Sequence, residues 1–201
     1  AIHSMLDYAE DDDDYEYDYN TSKKVKGLSK EAVREIIFLT DDEIKRLRNE
    51  LKAREKYKYM ALLDLMYDSA ARRRELLQVE CFNLLSKNCT NIVRGKGGKQ
   101  FPLVYFNRTL ESLKLYLDTR DDDLPELWIT GDEENVRAAS YHALYEWVLY
   151  MRKVYEDLTG EYVKFTPHSF RHSALQNMKD GTHYICKEIN QGKGFELGQL
   201  K

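Results

Sequence analysis

Proline and cysteine are scarce in this 201-residue chain, three of each, and glycine reaches only ten. That composition excludes collagen-like and other fibrous classes. The three cysteines, Cys81, Cys89 and Cys186, are odd in number and show no CxxC spacing, which argues against a disulfide framework and a structural zinc site. They read as ordinary buried or half-buried thiols. Long apolar runs are also missing. Met60-Ala61-Leu62-Leu63 stops at Asp64, far short of the ~20 residues that span a bilayer, and the first residues carry no signal-peptide pattern. A soluble, cytoplasmic protein with no membrane partner is expected. What is present, 42% apolar and 33% charged residues, suits one globular domain with or without an extension.

Charge is unevenly placed. The formal net charge is −4, but eight of the 35 acidic residues lie within residues 1–20, which hold no Lys or Arg. Over the rest, all 31 basic residues face 27 acidic ones, a balance of +4 that leaves room for a polyanionic partner without demanding one. Glu10 to Asp14 are five like charges in a row, so residues 1–39 are read as an acidic, largely disordered linker or tail, a solvated spacer. The chain opens on Ala1, not Met, and is read as a piece of a longer protein.

Residues 40–201 form the expected domain. Thr40-Asp41-Asp42-Glu43 has capping-box spacing and opens a helix with Ile44, Leu47 and Leu51 on one face. Tyr59, Leu62, Leu63, Met66 and Tyr67 mark a second helix over 55–68, and a third is expected to start after Ser69. The period then shortens. Thr90 to Arg94 and Gln100 to Tyr105, joined by Gly95-Lys96-Gly97-Gly98-Lys99, read as an antiparallel hairpin. Helices return over 108–118 and 140–158, the latter ended by Gly160, with Leu124-Pro125 and Gly131 in the loop between them. A last helical stretch follows Thr166-Pro167. The fold class is mainly α with a small antiparallel β-sheet, α+β.

Three segments carry chemistry. With Ser69 taken as N-cap, Arg72, Arg73 and Arg74 crowd a helix start, where cations are disfavoured unless an anion joins them. A bound phosphate would remove the conflict; a solvated basic face is the alternative. Thr166 as N-cap and Pro167 at the first position put His168, Arg171 and His172 on one face at another positive helix end. A histidine that moves protons near neutral pH, beside a guanidinium that forks onto phosphate, suits phosphoryl transfer. His168 and His172 also have the i, i+4 spacing of a metal pair, but Ser169 stands where HExxH needs its glutamate. The glycine–lysine run at 95–99 lacks Walker A spacing; it reads as a hairpin tip whose lysine can reach a leaving oxygen.

Together and in this order, Arg72-x-x-Glu75-Leu76, the Gly95–Lys99 hairpin and His168-x-x-Arg171-His172 resemble the catalytic domain of the tyrosine recombinases, the phage and transposon integrase family. Arginine and lysine lie about 24 residues apart and the His-x-x-Arg box some 70 further on, and the likeness covers residues 40–201. It implies a tyrosine-recombinase-like fold and catalytic roles for Arg72, Lys96, His168 and Arg171. Arg72 and Arg171 would clamp the scissile phosphate, Lys96 would protonate the departing 5′ oxygen with Lys99 as backup, and His168 would assist the nucleophile. Glu75 and His172 would support the pocket, and Arg73, Arg94 and Lys99 would contact DNA. Arg73 is the alternative first arginine. No metal or other cofactor is implied.

The family carries a second His or Trp and then the nucleophilic tyrosine after the His-x-x-Arg helix. Neither appears before Lys201, and Tyr184, about 13 residues past Arg171, is too close and reads as structural. The expected function is site-specific recombination of a mobile element through a 3′-phosphotyrosyl intermediate, on double-stranded DNA with other protomers in a tetrameric synapse. This chain alone would lack the nucleophile. A noncatalytic DNA-binding relative and a metal-dependent hydrolase using His168 and His172 are the alternatives.

Overall fold

The computed structural model describes residues 37–132 and 135–195. The acidic tail expected over 1–39 therefore lies almost wholly outside the described residues. At the start of α1 (Asp41–Ala53), Thr40 Oγ1 accepts the Glu43 N–H at 3.3 Å and Glu43 Oε2 accepts the Thr40 N–H at 2.7 Å, the expected capping box. Ile44, Leu47 and Leu51 are buried, and so is Arg48, whose Nε donates to Asp64 at 2.7 Å.

The second helix, α2 (Tyr57–Ser69), is buried from Met60 to Asp68 on all sides. A helix apolar nearly all round belongs in the middle of a core, and α1, α4 (Asn107–Leu117) and α6 (Pro167–Lys179) pack around it. Between them run the one-turn α3 (Arg73–Leu76) and the hairpin of β1 (Cys89–Arg94) and β2 (Gln100–Val104), paired antiparallel with an irregularity between Cys89 and Ile92. The long α5 (Tyr141–Thr159) is closed by Gly160 at φ 73°, as its sequence indicated, and is capped by Ser140; α7 (Tyr184–Ile189) follows α6. Among the described residues no helix is long and apolar enough to cross a membrane. Cys186 is buried and Cys81 and Cys89 are half-buried.

Two expectations need correction. Ser69 does not cap the arginine segment: it is the last residue of α2, its hydroxyl donates to the Leu65 carbonyl at 2.5 Å, and Ala70 ends the helix in a left-handed conformation. The arginine helix consequently starts at Arg73, with Arg72 as N-cap. The loop expected between α4 and α5 also contains a second hairpin, β3 (Ile129–Thr130) with β4 (Arg137–Ala138). Two residues per strand are too few to show a period of two.

Candidate active site

The arginine turn sorts its three guanidiniums into different surroundings. Arg72 is extended at ψ 155°. Its N–H donates to Glu75 Oε2 at 2.7 Å and its Nη1 lies 3.3 Å from Oε1. The Glu75 side chain is only 3% exposed against 32% for Arg72, so a buried carboxylate anchors a guanidinium whose outer part meets solvent. Arg73 goes the other way. It is 4% exposed, with its guanidinium 3.5 Å from the Tyr141 ring centroid and 5.4 Å from that of Tyr145. Arg73, one of the expected DNA contacts, thus packs its guanidinium on aromatic rings of α5, a cation–π contact that joins α3 to α5. Arg74 is half-buried, 5.7 Å from the same Tyr141 ring.

Helix α6 begins as its sequence indicated. Thr166 Oγ1 accepts the Ser169 N–H at 3.3 Å, Ser169 Oγ accepts the Thr166 N–H at 3.0 Å, and Pro167 occupies the first position. His168, Arg171 and His172 are half-buried. The two imidazoles meet edge to face with centroids 4.2 Å apart, and the Phe38 ring packs against His172. Among the described residues no group of three or more His, Cys, Asp or Glu is arranged to hold a metal. Arg171 Nη1 donates to the Ala70 carbonyl, which brings α6 onto the turn that leads into Arg72.

The hairpin reaches the same place from another side. Its tip is a 3-10 turn, Lys96–Gly98, closed by the Gly95 N–H on the Lys99 carbonyl at 2.8 Å. Lys96 is half-buried, while Arg94 and Lys99 are exposed. A Cβ on Gly95 would lie 2.6 Å from the Phe101 ring and 2.9 Å from Glu75 Oε1, so any larger residue there would have to displace those side chains. One buried carboxylate therefore touches both Arg72 and the root of the Lys96 loop. Arg72, Glu75 and the root of the loop are thus in contact, and Arg171 joins them through the Ala70 carbonyl, two residues before Arg72; His168 lies one turn before Arg171 on α6. The Ala70 carbonyl and the aromatic seat of Arg73 were missed because both depend on tertiary contacts that no local pattern announces.

Behind this surface lies a buried polar network centred on Tyr184. Its hydroxyl donates to Asp68 Oδ1 at 2.8 Å, and its N–H donates to Asp41 Oδ1 at 3.1 Å. The Arg108 guanidinium stacks 3.6 Å from its ring centroid. Burial, then the facing Asp68 carboxylate, drive the phenol far above its ordinary value, opposite to what a nucleophile near neutral pH needs. Burial likewise pushes Asp68 up to about 7, although Thr109, the Phe106 N–H and Tyr184 all donate to it. His183, stacked 4.2 Å from the Tyr67 ring, is lowered to about 4 by burial; its Nδ1 accepts the Ile185 N–H at 3.2 Å and its Nε2 is buried without a hydrogen-bond partner.

This arrangement has relatives. Tyrosine recombinase XerA of Pyrococcus furiosus is 30% identical over 142 residues, covering 70% of this chain and 47% of that protein. The chain thus spans about half the length of the curated relatives it matches. The crystal structure of XerA recombinase superposes with a TM-score of 0.61 at 18% identity, over 87% of this chain and 60% of the other. XerH site-specific recombinase, solved bound to a palindromic difH substrate as a post-cleavage complex, gives 0.54 at 17%, over 98% and 60%. At those identities the structures speak for the fold, mainly helical with small antiparallel sheets, which is that of tyrosine recombinase catalytic domains. Residues 37–182 match the phage integrase family. On that match and the shared fold, the chain belongs to the phage integrase family, the tyrosine recombinases.

Proposed function

We propose that this chain is the phosphate-gripping part of a site-specific recombinase that cuts and rejoins duplex DNA of a mobile element through a 3′-phosphotyrosyl intermediate. The observation that carries the reading is the junction at Ala70–Glu75. Arg171 bonds to the Ala70 carbonyl, and Glu75 both holds Arg72 and abuts the root of the Lys96 loop. Two guanidiniums brought to one short stretch, one from it and one from α6, suit the two non-bridging oxygens of a phosphodiester, and their grip strengthens as charge builds in a pentacoordinate transition state. Lys96 would give its proton to the departing 5′ oxygen, with Lys99 on the same tip as alternate. His168, backed by His172, would assist proton transfer at the attacking phenol, and exposed Arg94 would contact the DNA backbone.

The nucleophile in this reading lies outside residues 1–201, because the one tyrosine after Arg171, Tyr184, is buried against Asp68. The complete enzyme would act with further protomers on DNA, as a tetrameric synapse. The DNA-bound state of the XerH relative supports a duplex partner. Residues 40–201 would constitute the catalytic domain, with 1–39 as its linker.

Two measurements test this. Affinity for duplex DNA is expected to fall steeply with salt, and Arg72→Ala or Arg171→Ala to weaken binding and flatten the log–log slope by ~0.9 for each phosphate contact removed. An affinity indifferent to salt refutes the phosphate clamp. Mixed with a nicked suicide duplex and run on a denaturing gel, residues 1–201 are expected to give no covalent adduct; an adduct would put the nucleophile inside them.

A further inference from the structure

Lys96 can serve a proton transfer only if its loop keeps a fixed position relative to Arg72, yet that loop contains Gly95, Gly97 and Gly98. The side chain of Gln78, two residues past the end of α3, fastens its root. Gln78 Oε1 accepts the Arg94 N–H at 2.8 Å, and Nε2 donates to the Arg94 carbonyl at 3.0 Å and to the Arg74 carbonyl at 2.8 Å. The primary amide thus satisfies both main-chain groups of the residue before Gly95, as a neighbouring strand would, while reaching back into the arginine turn. Asn91 answers from β1: its Oδ1 accepts the Glu80 N–H at 2.9 Å and its Nδ2 donates to the Gln78 carbonyl at 2.8 Å. Gln78 is exposed, and hydrogen bonds in water add little to folding stability. What they supply here is register between two segments that converge on Glu75.

We propose that Gln78 is a positioning residue for Lys96. The inference rests on the reading above, in which Lys96 exchanges a proton with the 5′ oxygen. Without the amide, Arg94 loses its lateral partner and the root of the Lys96 loop loses its tie to the arginine turn; a misplacement of ~1 Å costs on the order of 100-fold in rate.

The test uses the chain as it stands and needs no protein nucleophile. In a nicked duplex, a 3′-p-nitrophenyl phosphate faces a free 5′-hydroxyl. The 5′ oxygen attacks phosphorus, the bond from phosphorus to the nitrophenyl oxygen breaks, and p-nitrophenolate departs with the electron pair. The hydroxyl proton passes to Lys96 as neutral amine, the reverse of its role in cleavage. Gln78→Met is expected to slow joining ~10- to 100-fold, Lys96→Ala at least as much, and the double variant no more than Lys96→Ala alone, the signature of one residue acting through the other. Hydrogen exchange should quicken at the Arg94 amide in Gln78→Met and stay unchanged in α2.

Joining by Gln78→Met at the unsubstituted rate, defects that multiply in the double variant, or protection lost throughout α2 would each overturn the proposal. Unslowed joining by Lys96→Ala would instead remove the role of Lys96 itself, and no joining by the unsubstituted chain would remove the recombinase reading.

Discussion

Ala70 carries a left-handed backbone, φ 48° and ψ 32°, that alanine adopts at a cost of about 1–2 kcal/mol. It lies where α2 ends and the arginine turn begins, with its carbonyl held by Arg171. Glycine pays no such penalty but has more unfolded-state freedom to lose, so Ala70→Gly is expected to stabilise the fold by up to about 1 kcal/mol, a rise of a few degrees in a thermal melt. Asp68 and His183 make a second residue-scale case. Asp68, raised by burial to about 7, keeps its proton in the folded chain where the unfolded chain has lost it. Its contribution is present at low pH and is lost as pH rises through the window ending near 7. His183, lowered by burial to about 4 from 6.5, contributes above 6.5 and is lost as pH falls toward 4. The slopes oppose each other where the windows overlap. Asp68→Asn removes one, so its urea midpoint is expected to drop more steeply between pH 6.5 and 4.5 than that of the parent chain.

Helices α1, α2 and α4 are tied by one guanidinium. Arg48 donates from Nε to Asp64 and from Nη2 to Glu111, both at 2.7 Å, and Lys52 Nζ joins Glu111 at 2.5 Å. The Arg48 and Asp64 side chains are 9% and 3% exposed, and burial raises the Asp64 carboxyl against the pull of Arg48. Arg48→Met strands that carboxylate and is expected to cost about 3–5 kcal/mol by chemical denaturation, whereas Arg48→Met with Asp64→Leu should recover most of the loss. Much at this scale was legible from sequence because caps are local. Thr40 with Glu43, Gly160 and Thr166-Pro167 each stop or start a helix through atoms a few residues apart. The arginine turn was misread for the converse reason. Ser69 has the composition of an N-cap, but its hydroxyl turns back to Leu65 and the next helix waits for Arg72. The burial of Arg73 is not legible locally either, because its aromatic seat lies some 70 residues on in α5.

At the scale of the molecule, the chain enters the described domain against the helix that carries the His-x-x-Arg box. The Leu39 N–H donates to Ser173 Oγ at 2.7 Å, Asn177 Nδ2 donates to the Leu39 carbonyl at 2.9 Å, and Asp41 accepts the Tyr184 N–H at 3.1 Å. Residues more than 130 positions apart are thus bolted together, and no local pattern in the sequence announces it. Ser173 and Asn177 are the first and second turns of α6 beyond the Arg171 level, so the incoming chain and the guanidinium share one stiff rod. Mechanically, a tug or twist on the polypeptide ahead of Ile37 would bear on that rod through the two hydrogen bonds of Leu39. The tether makes the Arg171 helix the lever through which such a load would arrive at the proposed phosphate clamp.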